Sequence, residues 1–254
     1  MHAWKLAEGE IDFSQYSAIV AVGGDGTLHE VINGMLQRAD GQRLPISFIP
    51  NGSGNDLVGC LGIKDINQAL DWLVKGEIIK MDVNKVLIDY ESENEIPESE
   101  DRASKFRYSV INASVGYIAK CTHKADSHKP YMGRYCYTSS AIVNFFGNDN
   151  ETFEVCFEQH DGSRIEFTED TMFLVIMNGR YGGGRVPMAP AAILNDGLLD
   201  VSMQHGPAGT REMLRFVKYC ITQRGAHIFR DNYSQFRSKS ITITNKNTRE
   251  VQPD

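Results

Sequence analysis

The chain has 254 residues, enough to bury a sizeable core and to hold two domains. Its 41% hydrophobic and 23% charged content is ordinary for a soluble globular protein, and a formal charge of −7 argues against a broad nucleic-acid surface. No apolar run approaches the about 20 residues that span a bilayer, so membrane contact is expected to be peripheral.

The five cysteines (Cys60, Cys121, Cys136, Cys156 and Cys220) are scattered with no Cys-x-x-Cys pair, which reads as reduced thiols in a cytoplasmic protein. The opening segment, with His2, Trp4, Lys5 and Glu8, lacks the apolar core of a signal peptide.

In chain order, 16–22 is a short β-prone run ending in glycines and reads as a buried strand. Leu28, Val31, Ile32, Met35 and Leu36 then fall on one helical face, and Thr27 with Glu30 fits a capping box. A second strand over 46–49 is broken by Pro50 and a Gly/Ser/Asn turn. Asp65 and Gln68 open a further helix, with Ile66, Leu70, Leu73 and Val74 turned inward and Gly76 closing it. This alternation predicts a Rossmann-like α/β nucleotide-binding domain over 1–79 with a parallel sheet.

From residue 80 the pattern becomes β-rich and predicts a sandwich-like second domain over 80–254. Strands are expected at 83–89, 107–113, 153–159, 164–168, 171–177, 199–203 and 240–244, with helices over 134–146 and 210–223. The helix over 210–223, with Met213, Leu214, Phe216 and Val217, reads as core packing rather than a membrane anchor. Asp161-Gly162 marks a hairpin, and the acidic stretch 91–102 reads as a solvated loop.

Three clusters carry chemistry. Gly23-Gly24-Asp25-Gly26-Thr27 follows a strand and opens a helix, so the backbone can approach an anion and helix amides can point at it. A carboxylate beside phosphate repels it unless it holds a metal, orients a hydroxyl or accepts a proton, which suits phosphoryl transfer. Asp-Gly alone is also an ordinary tight turn; the whole strand–turn–helix unit favours function.

Gly52, Ser53 and Gly54 repeat that logic at the next strand end, with Asn55 and Asp56 as candidate helix caps. In the β-rich half, spacing alone reads Asn195-Asp196-Gly197 as a hairpin turn, although Asp196 with nearby carbonyls also offers an oxygen shell to Mg²⁺.

The stretches 22–34, 50–56 and 195–200, in that order, resemble the diacylglycerol kinase catalytic-domain family, which includes sphingosine and ceramide kinases. The resemblance implies a nucleotide-binding domain and a β-sandwich lipid-binding domain, with ATP as phosphate donor. It implies that Gly24, Gly26, Thr27, Glu30, Gly52, Ser53 and Gly54 line the ATP site and that Asp25 is the essential aspartate. It also implies a structural Mg²⁺ held by Asp196 with the carbonyls of Ile193 and Leu198.

Against the family pattern, an opening strand with its Asn-Pro-x-x-Gly loop is not found, and a late Asp-Gly-Glu motif stops at Asp254. The expectation is a chain truncated at both ends with weak or absent activity. Family sphingosine kinases carry acids after a segment like Gly116-Tyr117-Ile118-Ala119, whereas here Lys120 follows, which favours a neutral, diacylglycerol-like lipid. The alternatives are a sphingoid-base kinase, an NAD kinase-like enzyme and an inactive nucleotide-binding fragment. The expected partner is a lipid at a membrane surface, met peripherally from the cytoplasm; a homodimer is left open.

Overall fold

The computed structural model describes residues 2–123, 151–159, 161–206, 210–219 and 225–247, so the helix expected over 134–146 lies outside the described residues. The chain forms two compact units, Met1–Ile111 and Asn112–Asp254.

In the first unit, β1 (Ile19–Gly23) pairs parallel with β2 (Ile46–Pro50) in a register that sets Gly23 opposite Pro50. Between them runs α2 (Asp25–Leu36), which buries Leu28, Val31, Ile32 and Met35 as the 3.6-residue period requires. A short opening helix, α1 (His2–Lys5), lies against α2. Arg38 fastens this opening segment: its guanidinium donates to the carbonyls of Ala7 (3.0 Å) and Ile11 (3.1 Å) and lies 3.9 Å over the Phe13 ring. β1 is less buried than its sequence suggests, because Ala21 is closed off while Val20 and Val22 on the other face stay exposed.

α3 (Asp56–Cys60) and α4 (Ile66–Lys75) follow β2. The caps of α4 are the expected ones: the Asp65 carboxylate accepts from the Gln68 amide at 2.9 Å, and Gly76 closes the helix at φ +67°. Its apolar stripe is not turned inward as expected. The helix leans on β2 with Ala69 closed off, leaving Ile66, Leu70 and Val74 exposed.

β3 (Asn84–Leu87) and β4 (Phe106–Ser109) pair antiparallel around the acidic stretch. That stretch holds a 3₁₀ turn at Glu93–Glu95 and a short α5 (Arg102–Lys105), and is laced by Glu93 to Lys85 and Arg102 and by Asp89 to Lys105. The first unit therefore runs to Ile111 rather than to residue 79. The physical link is Asn33 on α2, fully buried, which donates to the Tyr108 carbonyl and accepts from the Tyr108 amide, both at 2.8 Å.

Among the described residues the second unit holds a six-stranded sheet in the order β10–β6–β7–β8–β9, with β5 also on β7 and each of these pairs antiparallel. The strands are β5 (Asn112–Gly116), β6 (Glu151–Glu158), β7 (Arg164–Met177), β8 (Leu199–His205), β9 (Tyr233–Ser238) and β10 (Ser240–Asn245). The two strands expected at 164–168 and 171–177 are one, β7, because its register absorbs an irregularity between Thr171 and Phe173 instead of breaking.

The first half of β7 pairs with β6 and the second half with β5, so one long strand staples both. Phe157 on β6 stacks on Phe236 of β9 at 4.2 Å although those strands are not neighbours, so the sheet curls around one core containing Phe153, Val155, Leu174, Val201 and Met203. The opposite face carries Phe173, Val175 and Met177 and is covered by Met188, Ala189 and Phe216, the last on α6 (Thr210–Val217).

Candidate functional site

The parallel register brings both glycine turns to the carboxyl ends of adjacent strands, where open α/β sheets bind ligands. The turns touch. A Cβ built on Gly24 would lie 3.1 Å from Gly52 Cα, and one on Gly52 would lie 2.9 Å from Asn55 Oδ1 and 3.1 Å from Gly24 N. Neither turn has room for a side chain here, which is the physical reason for glycine at 24 and 52.

Asn55 locks the second turn. It adopts the left-handed conformation (φ 53°), its Oδ1 accepts from the Gly52 amide at 3.0 Å, and its Nδ2 donates to the Gly52 carbonyl at 2.8 Å. It does not cap α3 through its side chain; Asp25 supplies those contacts from the other turn. Asp25 Oδ2 accepts from the Asp56 amide at 3.0 Å, and Oδ1 from the Leu57 amide at 3.3 Å. Its charge is thus set against the positive end of α3, which lessens its repulsion of an incoming phosphate.

The capping box expected at Thr27 and Glu30 is not formed, because α2 begins earlier, with extended Gly24 as its N-cap and Asp25 as its first residue. Glu30 instead lies within electrostatic reach of the Ala3 and Trp4 amides in α1. Gly26 is exposed, and nothing lies within 4 Å of a Cβ built on it; Ser53 is exposed, while Thr27 and Gly54 are half-buried. The structure therefore gathers Gly24, Asp25, Gly26, Thr27, Gly52, Ser53 and Gly54 along two touching turns and ties Glu30 to α1.

In the second unit, Asp196 Oδ1 accepts from the Leu198 amide at 3.1 Å, and Oδ2 lies 3.8 Å from Arg237 Nη1. Arg237 also lies 3.3 Å from Asp200 Oδ1 and donates to the Ala191 carbonyl at 2.8 Å. Asp200 is 1% exposed; burial pushes its carboxyl above the ordinary range, and Arg237 opposes that shift.

Among the described residues, no three or more His, Cys, Asp or Glu side chains gather to hold a metal. An all-oxygen set of the Asp196 carboxylate with the carbonyls of Ile193 and Leu198 would suit Mg²⁺ in donor chemistry, but in this structure the Asp196 oxygens are turned to the Leu198 amide and to Arg237. No described helix is long and apolar enough to cross a membrane.

Residues 2–86 match the diacylglycerol kinase catalytic domain, and residues 111–254 match the YegS C-terminal NAD kinase beta sandwich-like domain. A Pectobacterium atrosepticum protein named "Probable lipid kinase YegS-like" is 27% identical over 187 residues, covering 73% of this chain and 55% of that one. "Probable lipid kinase YegS" of Salmonella heidelberg is 25% identical over 191 residues, covering 74% and 56%. The chain thus spans little more than half the length of the curated relatives it matches.

A crystal structure of a diacylglycerol kinase from Bacillus anthracis str. Sterne superposes with a TM-score of 0.66 at 21% identity, covering 96% of this chain and 71% of that one, and shows that the fold is shared. With catalytic-domain and sandwich matches in succession, the chain belongs to the diacylglycerol kinase catalytic-domain family and has the YegS type of C-terminal domain.

Proposed function

We propose that the chain is the core of an ATP-dependent lipid kinase, which moves the γ-phosphate of ATP to the hydroxyl of a diacylglycerol-like lipid. The observation that carries this reading is the contact of the Gly24 and Gly52 turns with Asp25 placed between them and α3. Phosphoryl transfer is mainly a problem of positioning and charge neutralisation, and this arrangement addresses both.

The glycine turns let backbone amides reach phosphate oxygens, the first turn of α2 contributes its positive end, and Ser53 offers an exposed hydroxyl. Asp25 keeps both oxygens on α3 amides and retains further lone pairs for an attacking hydroxyl or an ion. Asp196, with the carbonyls of Ile193 and Leu198, would hold Mg²⁺, whose chemistry there is to neutralise local negative charge and stiffen the turn.

The sandwich match to an NAD kinase-like domain favours one second reading, a kinase of a soluble dinucleotide. The test is a single-turnover assay with γ-labelled ATP offered dioctanoylglycerol, sphingosine and NAD in parallel mixed micelles. Label in dioctanoylglycerol that is lost in Asp25→Asn supports the first reading; label in NAD instead refutes it.

A further inference from the structure

Two large apolar side chains stand out from the second unit on adjoining elements: Leu214 on α6 is 64% exposed, and Phe229, ending the 3₁₀ turn Ala226–Phe229, is 84% exposed. The elements are fixed to one another. The Phe216 ring meets the His227 ring at 5.3 Å, and Glu212 on α6 pairs with Arg230 and accepts from Asn232 Nδ2 at 3.3 Å. Leu214 and Phe229 thus project from a packed base and contribute little to the core beneath.

The surroundings of the two are basic. Arg211, Arg215, Lys218 and Arg230 outnumber the two carboxylates of these segments, Glu212 and Asp231, in a chain whose overall charge is −7, and Glu212 is shared between Arg215, at 2.7 Å, and Arg230. Such a local excess would orient an otherwise repelled molecule toward an anionic surface. A second exposed apolar strip, Ile66, Leu70 and Val74 on α4 continued by Ile78 and Ile79, has no such surplus, because Lys64, Lys75 and Lys80 there are balanced by Asp65, Asp71 and Glu77.

We propose that the α6 surface is a membrane-docking face, with Leu214 and Phe229 entering the boundary between head groups and acyl chains of an anionic bilayer and the surplus positive charge around Arg211 meeting its phosphates. The inference rests on the lipid-kinase reading for its choice of partner. Vesicle binding is read without turnover, so failure of docking and failure of phosphoryl transfer are separate results.

The test is co-sedimentation of the chain with vesicles of phosphatidylcholine alone and of equal parts phosphatidylcholine and phosphatidylglycerol. The native chain is expected to bind the anionic vesicles and to be released by salt. Burying one aromatic side chain corresponds to a factor of about ten or more in partition, so Phe229→Asp should weaken binding at least about tenfold, and Leu214→Asp similarly. Arg211→Glu should weaken it about fivefold or more. Val74→Asp on α4 should leave it unchanged, and thermal midpoints should show that all four variants fold.

The proposal is overturned if the native chain ignores anionic vesicles, if folded Phe229→Asp and Leu214→Asp bind as the native chain does, or if Val74→Asp loses as much. Light scattering that shows Phe229→Asp breaking a dimer while vesicle binding persists would assign the face to a second copy instead.

Discussion

The three glycines at 24, 26 and 52 separate two reasons for a glycine, and substituting them one at a time tests both. At position 52 an added Cβ meets Asn55 Oδ1 at 2.9 Å and Gly24 N at 3.1 Å, and comes closer still to Gly24 Cα. Ordinary contact starts at 3.4 Å, so the two turns must part by about an ångström in Gly52→Ala. Overpacking of this kind costs about 1–3 kcal/mol, which lowers the melting midpoint of a unit this size by roughly 4 °C per kcal/mol or more.

Gly26 is different. It lies in α2, it is exposed, and its Cβ direction is empty to 4 Å. Gly26→Ala should therefore hold or raise stability, by up to about 1 kcal/mol from the entropy saved in the unfolded chain. If the empty space is where phosphate sits, the same variant should lose nucleotide affinity by about tenfold or more, while Gly52→Ala loses both affinity and stability. Scanning calorimetry with titration of a fluorescent ATP analogue reads both quantities. A Gly26→Ala variant that is stable and binds nucleotide like the native chain would refute the assignment of that space to phosphate.

Asn33→Leu strands the amide and carbonyl of Tyr108 and should cost about 2–4 kcal/mol in denaturant unfolding. Asp25→Asn keeps one acceptor for the α3 amides and should lose only about 1 kcal/mol while abolishing transfer, so melting and label transfer should part company. Arg237→Met leaves the buried Asp200 without its cation and, discounted for Arg237's partial exposure, should cost about 2 kcal/mol at neutral pH.

His227 is fully buried between Phe216 and Tyr233, and burial pulls its pKa down to about 4. Because the unfolded chain binds that proton near pH 6.5, the stability from the neutral ring is complete above 6.5 and is lost as pH falls toward 4, on the order of 3 kcal/mol. His227→Gln should flatten that limb of the pH–stability curve.

The parts of the fold set by local chemistry were legible in the sequence. The Asp65 and Gly76 caps, the buried stripe of α2 and the glycine turns after β1 and β2 each follow from a residue's own backbone preference or period. What was not legible depends on partners far along the chain. The union of 164–168 and 171–177 in one strand follows from the successive pairing of β7 with β6 and then β5. The extent of the first unit turns on Asn33, a polar residue inside an apolar helical face, whose partner is 75 positions away.

The same distinction holds at the candidate site. Gly24 and Gly52 could be singled out from their turns, but their mutual contact could not, and neither could the role of Asp25 in holding α3. Asn55 was read as a helix cap because Asn is common there, whereas its left-handed backbone directs the side chain back to Gly52. An exposed stripe on α4 looks identical in sequence to a buried one, since the period fixes a face and not what covers it.

The central claim is that the touching turns at Gly24 and Gly52 hold the phosphates of ATP. Amide hydrogen exchange of the chain with and without a non-hydrolysable ATP analogue and Mg²⁺ tests it most directly. Slowed exchange confined to residues 23–28 and 51–57 is the result expected. Protection that appears elsewhere while these amides exchange as before would contradict it.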